Sequence, residues 1–140
     1  MSDVTRTLCV IKPNAVAKNR IGDIVKLIET ADLRVAALRM TCPSRANVEA
    51  FYAEHQGKPF FTELVDFMTS GPVVAMVLEG ADAVARCREV MGATNPAEAA
   101  EGTIRALYGE SMTANAVHGS DSATSAAREI GFYFGGFEIF

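Results

Sequence analysis

Short apolar runs alternate along this chain with stretches of helical period, and glycine and proline turns separate them. Thr7 to Ile11 is short and β-branched, the pattern of a buried strand. Lys12-Pro13-Asn14 should end it, since proline removes a ladder donor and asparagine favours turns. Ile21, Ile24, Val25 and Ile28 fall at helical spacing, and that helix should end near Ala31-Asp32. Leu33 to Met40 reads as a strand with Val35, Ala37 and Arg39 on one face and Ala36, Leu38 and Met40 on the other. Ser44 is an N-cap for a helix carrying Val48, Phe51 and Tyr52, and Gly57-Lys58-Pro59 breaks it. Phe60, Phe61, Leu64, Val65 and Met68 make another amphipathic helix, stopped by Ser70-Gly71-Pro72. Val73 to Leu78 is a strand, and Ala81 to Met91 a helix with Val84, Cys87 and Met91 on one stripe.

Gly92 to Ala114 shows no clean period and contains Pro96, Gly102 and Gly109. A loop of that length in a compact domain is usually functional or disordered. Ala116-Val117-His118 reads as a short strand. Ser120-Asp121-Ser122 caps a last helix, Ala123 to about Phe134. Gly135 to Phe140 should be an arm that needs something to pack on. Two βαβ-type halves in so short a chain predict an α+β fold: a ferredoxin-like antiparallel sheet (βαββαβ) with helices packed on it and one long loop. A flavodoxin-like sheet is the structural rival.

Composition narrows the class. The 140 residues suit one domain, and 49% apolar with 21% charged residues is a globular balance. A net charge of -4 argues against a dedicated nucleic-acid partner. Three cysteines with no CxxC spacing argue against a zinc site or a disulfide framework. No apolar run approaches the roughly 20 residues of a membrane span, and Met1 to Arg6 lacks the layout of a signal peptide. The expectation is a cytoplasmic protein with reduced thiols and no membrane partner.

His118 is the sharpest candidate for chemistry. It ends a strand, and Gly119 and a helix cap follow it. Imidazole suits nucleophilic or proton-transfer work near neutral pH, and a helix start favours an anion beside it. A packed structural histidine is the bland alternative. His55 lies at a helix end beside Gln56-Gly57, where a cap or surface role fits better. Lys12, Arg88, Thr94 and Arg105 could hold phosphate, although each alone reads first as a solvated polar residue. Phe60 and Phe61 cannot both face one core from a helix, so one is a candidate to be exposed and stack on a base, although a pair that fills core or interface is the first reading. There is no GxxxxGK[ST], GxGxxG, HRD or DFG, so neither the P-loop nor the protein-kinase route applies.

Asn115-Ala116-Val117-His118-Gly119-Ser120-Asp121-Ser122 resembles the active-site signature of nucleoside diphosphate kinases. Further similar segments run in order: Thr5 to Leu8, Lys12-Pro13, Phe51 to His55, Lys58 to Phe61, Met68 to Val73, Met91 to Pro96 and Gly102 to Arg105. The resemblance implies transfer of the γ-phosphate of a nucleoside triphosphate, mainly ATP, to a nucleoside diphosphate. The mechanism would be ping-pong through a phosphohistidine at His118, formed on its δ nitrogen. Lys12, Tyr52, Arg88, Thr94, Arg105 and Asn115 would contact the nucleotide or the moving phosphate, and Phe60 would stack on the base. Ser120 and Glu129 would stand behind His118. Mg2+ would ride on the nucleotide phosphates and water, with no protein metal cage. The resemblance also implies a homo-oligomer, a tetramer or hexamer built from dimers.

The sequence departs from that pattern at Asn14, at Cys87, at Ala106-Leu107-Tyr108, at Met112 and in the tail from Gly135. Two rival readings remain from other classes: a catalytically silent binding module on the same scaffold, and a nucleic-acid binder.

Overall fold

The structure is a computed structural model that describes residues 4–140. Four strands carry it: β1 (Val4–Ile11), β2 (Arg34–Thr41), β3 (Val73–Ala81) and β4 (Val117–Gly119). They form one sheet in the order β2-β3-β1-β4, with every neighbouring pair antiparallel. That order and direction make the α+β, ferredoxin-like arrangement and exclude the flavodoxin-like rival, whose strands run parallel. Among the described residues six α-helices lie between the strands, α1 (Pro13–Ala17), α2 (Ile21–Thr30), α3 (Arg45–Phe51), α4 (Phe61–Met68), α5 (Ala83–Met91) and α6 (Ile104–Tyr108), and α7 (Ala123–Ile130) follows β4.

Both faces of the sheet are covered. Leu8, Val10, Ala75 and Val77 point to one face, where α3, α4, Tyr133 and Phe134 pack. Cys9, Ile11, Val74 and Met76 point to the other, under α2 and α5. This is why β1 and β3 read as continuous apolar runs and not as alternating ones. Ile24 and Ile28 of α2 are fully buried there, each contributing about 1.5–3 kcal/mol of burial.

Several expected boundaries move. Lys12-Pro13 ends β1 at Ile11 as expected, and Pro13 also opens a helix that was not expected, α1: its fixed φ suits the first helical position, where no N–H is needed. β2 breaks strict alternation, because its pairing with β3 slips between Val35 and Ala37. The bulge turns both Ala36 and Ala37 inward and leaves Leu38 and Met40 about half exposed. β3 runs on to Ala81, and Asp82, at φ 50°, separates it from α5. The loop after Gly92 holds α6, only five residues long and so without a visible period. Thr103 caps it, its side chain accepting from the Ala106 N–H. Ser44 and Ser122 cap α3 and α7 as expected. α7 stops at Ile130, short of Phe134. The tail is no free arm: the Phe140 N–H donates to the Ala36 carbonyl at 2.8 Å, and Glu138 pairs with Arg39 of β2.

Candidate active site

A cleft of about 440 Å³ opens beside the end of β4. Lys12, Tyr52, Phe60, Arg88 and Thr94 line it, as do Arg105, Asn115, His118 and Glu129. Ser120 is buried behind them, bonded to Glu129. These residues come from positions 12 to 129 of the chain and from most of its elements, so only tertiary folding brings them together.

His118 pairs with Val10 across β1 and β4, which sets its backbone rigidly. α7 returns over the strand and places Glu129 Oε1 2.7 Å from His118 Nε2. The Ser120 hydroxyl donates to the same carboxylate oxygen at 2.9 Å. A carboxylate only accepts, so Nε2 carries the proton and Nδ1 keeps its lone pair. Phe51 and Tyr52 meet the imidazole edge-on, with ring centroids 5.1 and 5.7 Å away. Burial lowers the His118 pKa below its usual value, while the hydrogen bond it donates to Glu129 works against that. The ring is therefore neutral at pH 7 and available as a nucleophile.

The entry to β4 is a tight turn. Ala116 has φ 73°, and the Val117 N–H donates to the Asn115 carbonyl two residues back at 2.9 Å. The Lys12 N–H holds this turn through the Ala116 carbonyl at 2.8 Å. Lys12 also directs its ammonium to the Thr113 carbonyl at 3.2 Å. Burial, with Arg105 adding repulsion, brings the Lys12 pKa down to about 7. Arg105 spans the loop, donating to the carbonyls of Gly92 at 3.0 Å and Val117 at 2.9 Å. Its burial lowers its proton affinity too. Asn115 donates to the Thr94 carbonyl at 3.0 Å.

Three buried polar atoms of this wall have no partner: the Tyr52 hydroxyl, Arg105 Nε and Asn115 Oδ1. Unpaired buried polar groups are costly, and their concentration on one cleft marks a place for a polar ligand. Phe60 stands 43% exposed at the mouth while Phe61 packs on the core, so the two aromatics divide and do not both fill the core. His55 differs from its expected surface role. It lines the cleft, stacks on Tyr52 at 6.2 Å and tilts against Phe60 at 5.3 Å. The three-residue spacing from Tyr52 on one helical turn was the available signal. Met112 faces it from the loop, more than half exposed. Nothing in the sequence pattern marked the Thr113 carbonyl as the partner of Lys12.

The family model described as nucleoside diphosphate kinase matches residues 5–139. The chain belongs to the nucleoside diphosphate kinase family. A nucleoside diphosphate kinase of Chlamydia muridarum (strain MoPn / Nigg) is 60% identical over 134 residues, covering 96% of this chain and 95% of that protein. One from Chlamydia pneumoniae is 57% identical, over 96% of this chain and 93% of its own length. Among solved structures, the Aquifex aeolicus nucleoside diphosphate kinase superposes with a TM-score of 0.96 at 45% identity, covering 99% of this chain and 100% of its own. A halophilic nucleoside diphosphate kinase from Halobacterium salinarum, solved in complex with CDP, has a TM-score of 0.94 at 42% identity and covers 100% of this chain and 92% of its own. Membership makes this chain a phosphotransferase, an enzyme of the kinase class that binds nucleotides.

Proposed function

We propose that this kinase moves the γ-phosphate of a nucleoside triphosphate, mainly ATP, to a nucleoside diphosphate through a phosphohistidine at His118, in two ping-pong half-reactions. The observation that carries the reading is the His118–Glu129–Ser120 chain, which leaves a free Nδ1 lone pair on a ring beside three cations. In the first half-reaction Nδ1 bonds to the γ-phosphorus, and the bond to the β–γ bridging oxygen breaks. The nucleoside diphosphate leaves with that electron pair. Positive charge develops on the imidazole, and the Glu129 carboxylate, accepting from Nε2–H, stabilises it. The second half-reaction reverses these steps toward a new diphosphate.

Phosphoryl transfer needs position and charge more than covalent help. Lys12, Arg88 and Arg105 supply charge to the phosphate oxygens, and Arg105 enters already held by two carbonyls. Tyr52, Thr94 and Asn115 supply polar contacts. Phe60 offers a π-face, which tolerates purine and pyrimidine alike. The H. salinarum relative, solved in complex with CDP, supports nucleotide binding by this chain.

Magnesium fits this site as part of the nucleotide. Among the described residues no group of three or more His, Cys, Asp or Glu converges to hold a metal ion. The cleft wall is rich in cations and hydrogen-bond donors instead, which suit phosphate oxygens. When bound with the nucleotide, Mg2+ would supply neutralising positive charge to the phosphates.

The chain assembles with copies of itself, as a tetramer or hexamer built from dimers. Support comes from β2, a sheet edge whose Leu38 and Met40 stand half exposed. Three free cysteines support a reducing, cytoplasmic setting. No helix among the described residues is long and apolar enough to cross a membrane.

The test uses γ-labelled ATP and magnesium without an acceptor, followed by GDP. The expected result is label on the protein that survives base, is lost in acid and passes to GTP. His118→Ala should take up none. Folded wild-type protein that takes up no label refutes the reading.

A further inference from the structure

The cleft wall that faces Lys12 is a short turn far along the chain. The Glu110 and Ser111 N–H groups both donate to the Ala114 carbonyl, at 2.8 and 3.3 Å, and the Ala114 N–H donates back to Ser111 Oγ at 3.0 Å. The turn closed in this way puts Met112, Thr113 and then Asn115 on the cleft. Residues 12 to 14 run beside it. The Lys12 N–H donates to the Ala116 carbonyl and its ammonium to the Thr113 carbonyl. Asn14 Nδ2 donates to the Ala114 carbonyl at 3.1 Å and to Glu110 Oε2 at 2.8 Å. Lys18, four residues on and so on the same side of α1, stands 2.7 Å from the other carboxylate oxygen, Oε1. These acceptors fix the Asn14 amide, since turning it over would set Oδ1 against both. As it stands, Oδ1 is buried with no partner among the described residues. An unpaired buried acceptor is costly, and the two bonds of Nδ2 offset it.

We infer that Asn14, with Glu110 and Lys18 behind it, is a positioning residue for nucleotide binding: it fastens the 110–114 turn to α1, so that the Thr113 carbonyl and the Met112 side chain are in place before the nucleotide arrives. None of the three lines the cleft, so each acts through the turn. Lys18, and after it Asn14, hold the Glu110 carboxyl below the usual range, which keeps it charged at neutral pH. Position 14 therefore needs a neutral donor. A carboxylate there would face a second carboxylate and a carbonyl, and would repel both. Exposed pairs of this kind stabilise a fold little, whereas a wall already set lowers the ordering cost of binding. Loss of the clamp is thus felt in affinity more than in folding. The inference rests on the cleft being the nucleotide site, as proposed above.

The test compares the full-length wild type with Asn14→Ala, Asn14→Asp, Glu110→Gln and the double variant Asn14→Asp with Glu110→Gln. Steady-state transfer from ATP to GDP gives kcat and KM, and calorimetric titration with GDP gives Kd. Asn14→Ala should raise KM and Kd about fivefold and Asn14→Asp about tenfold, with kcat within about twofold of wild type. Glu110→Gln alone keeps an acceptor for Asn14 and should raise KM less than Asn14→Ala does. In the double variant the introduced amide donates to the introduced carboxylate, and KM should return to within about threefold of wild type. Thermal midpoints should agree within about 3 °C across the set. Unchanged KM and Kd in both Asn14 variants, a fall in kcat at constant KM, or a defect of Asn14→Asp that Glu110→Gln does not relieve overturns the inference alone. A wild type that neither binds GDP nor transfers phosphate overturns the proposed function with it. Should Asn14→Asp not fold, Asn14→Ala decides by the same constants.

Discussion

Lys12 makes the proton balance of nucleotide binding a direct readout of the site. Its pKa is brought from the usual 10.5 down to about 7, first by burial and then by Arg105. At pH 8 only about one free site in eleven carries the Lys12 proton. A polyphosphate beside the amine favours the charged form and returns its pKa toward the ordinary range. Binding of a nucleoside diphosphate at pH 8 should therefore take up about 0.9 proton, and at pH 6 only about 0.1. Calorimetric titrations in two buffers of different ionisation enthalpy measure this number. Lys12→Met, measured alongside, should abolish the difference between the two pH values. Equal uptake at pH 6 and pH 8, or uptake that survives in Lys12→Met, refutes the reasoning. The same group shapes stability. The folded pKa lies below the unfolded one, so between pH 7 and 10.5 the unfolded chain holds more protons and stability rises with pH. Below pH 7 the cost is complete, at most about 5 kcal/mol, and Lys12→Met should remove it there.

Other perturbations test other parts of the structure. Gly92 has φ 86°, and a β-carbon there would lie 2.4 Å from Thr103 Oγ1, so Gly92→Ala should destabilise by about 2–4 kcal/mol in thermal unfolding. Gly92→Ala should also raise KM, because the Gly92 carbonyl anchors Arg105. Ser120→Ala removes a donor from a buried carboxylate; it should cost about 1–3 kcal/mol of stability and slow the phosphorylation half-reaction in rapid-quench measurements. Leu38→Glu combined with Met40→Glu places charge on an exposed sheet edge; sedimentation velocity should show a smaller species than wild type, and no change would remove this edge from the assembly surface.

The sheet was legible in the residues because its two central strands are buried on both faces, and burial forces continuous apolar runs such as Leu8 to Ile11 and Val73 to Leu78. The caps at Ser44 and Ser122 were legible too, since a side chain that satisfies a free N–H acts locally. His118 beside Gly119 stood out for the same local reason. What sequence alone determined is thus the set of elements, their caps, and a histidine at a strand end, with the family resemblance naming the rest of the site. Tertiary structure decided matters that depend on distant partners. The bulge at Ala36 arises from pairing with β3 and overrides the strand's alternation. The Lys12 pKa follows from burial under a loop some hundred residues away, by the Thr113 carbonyl and Arg105. The contact of Glu129 with the imidazole, at 2.7 Å, rests on α7 folding back over β4, and the seat of Met91 over Gly119 rests on α5 lying across that strand. Periodicity reports only which face of an element leaves water. Which side chains then meet is set by packing between elements, where solvation and distance are properties of the whole fold.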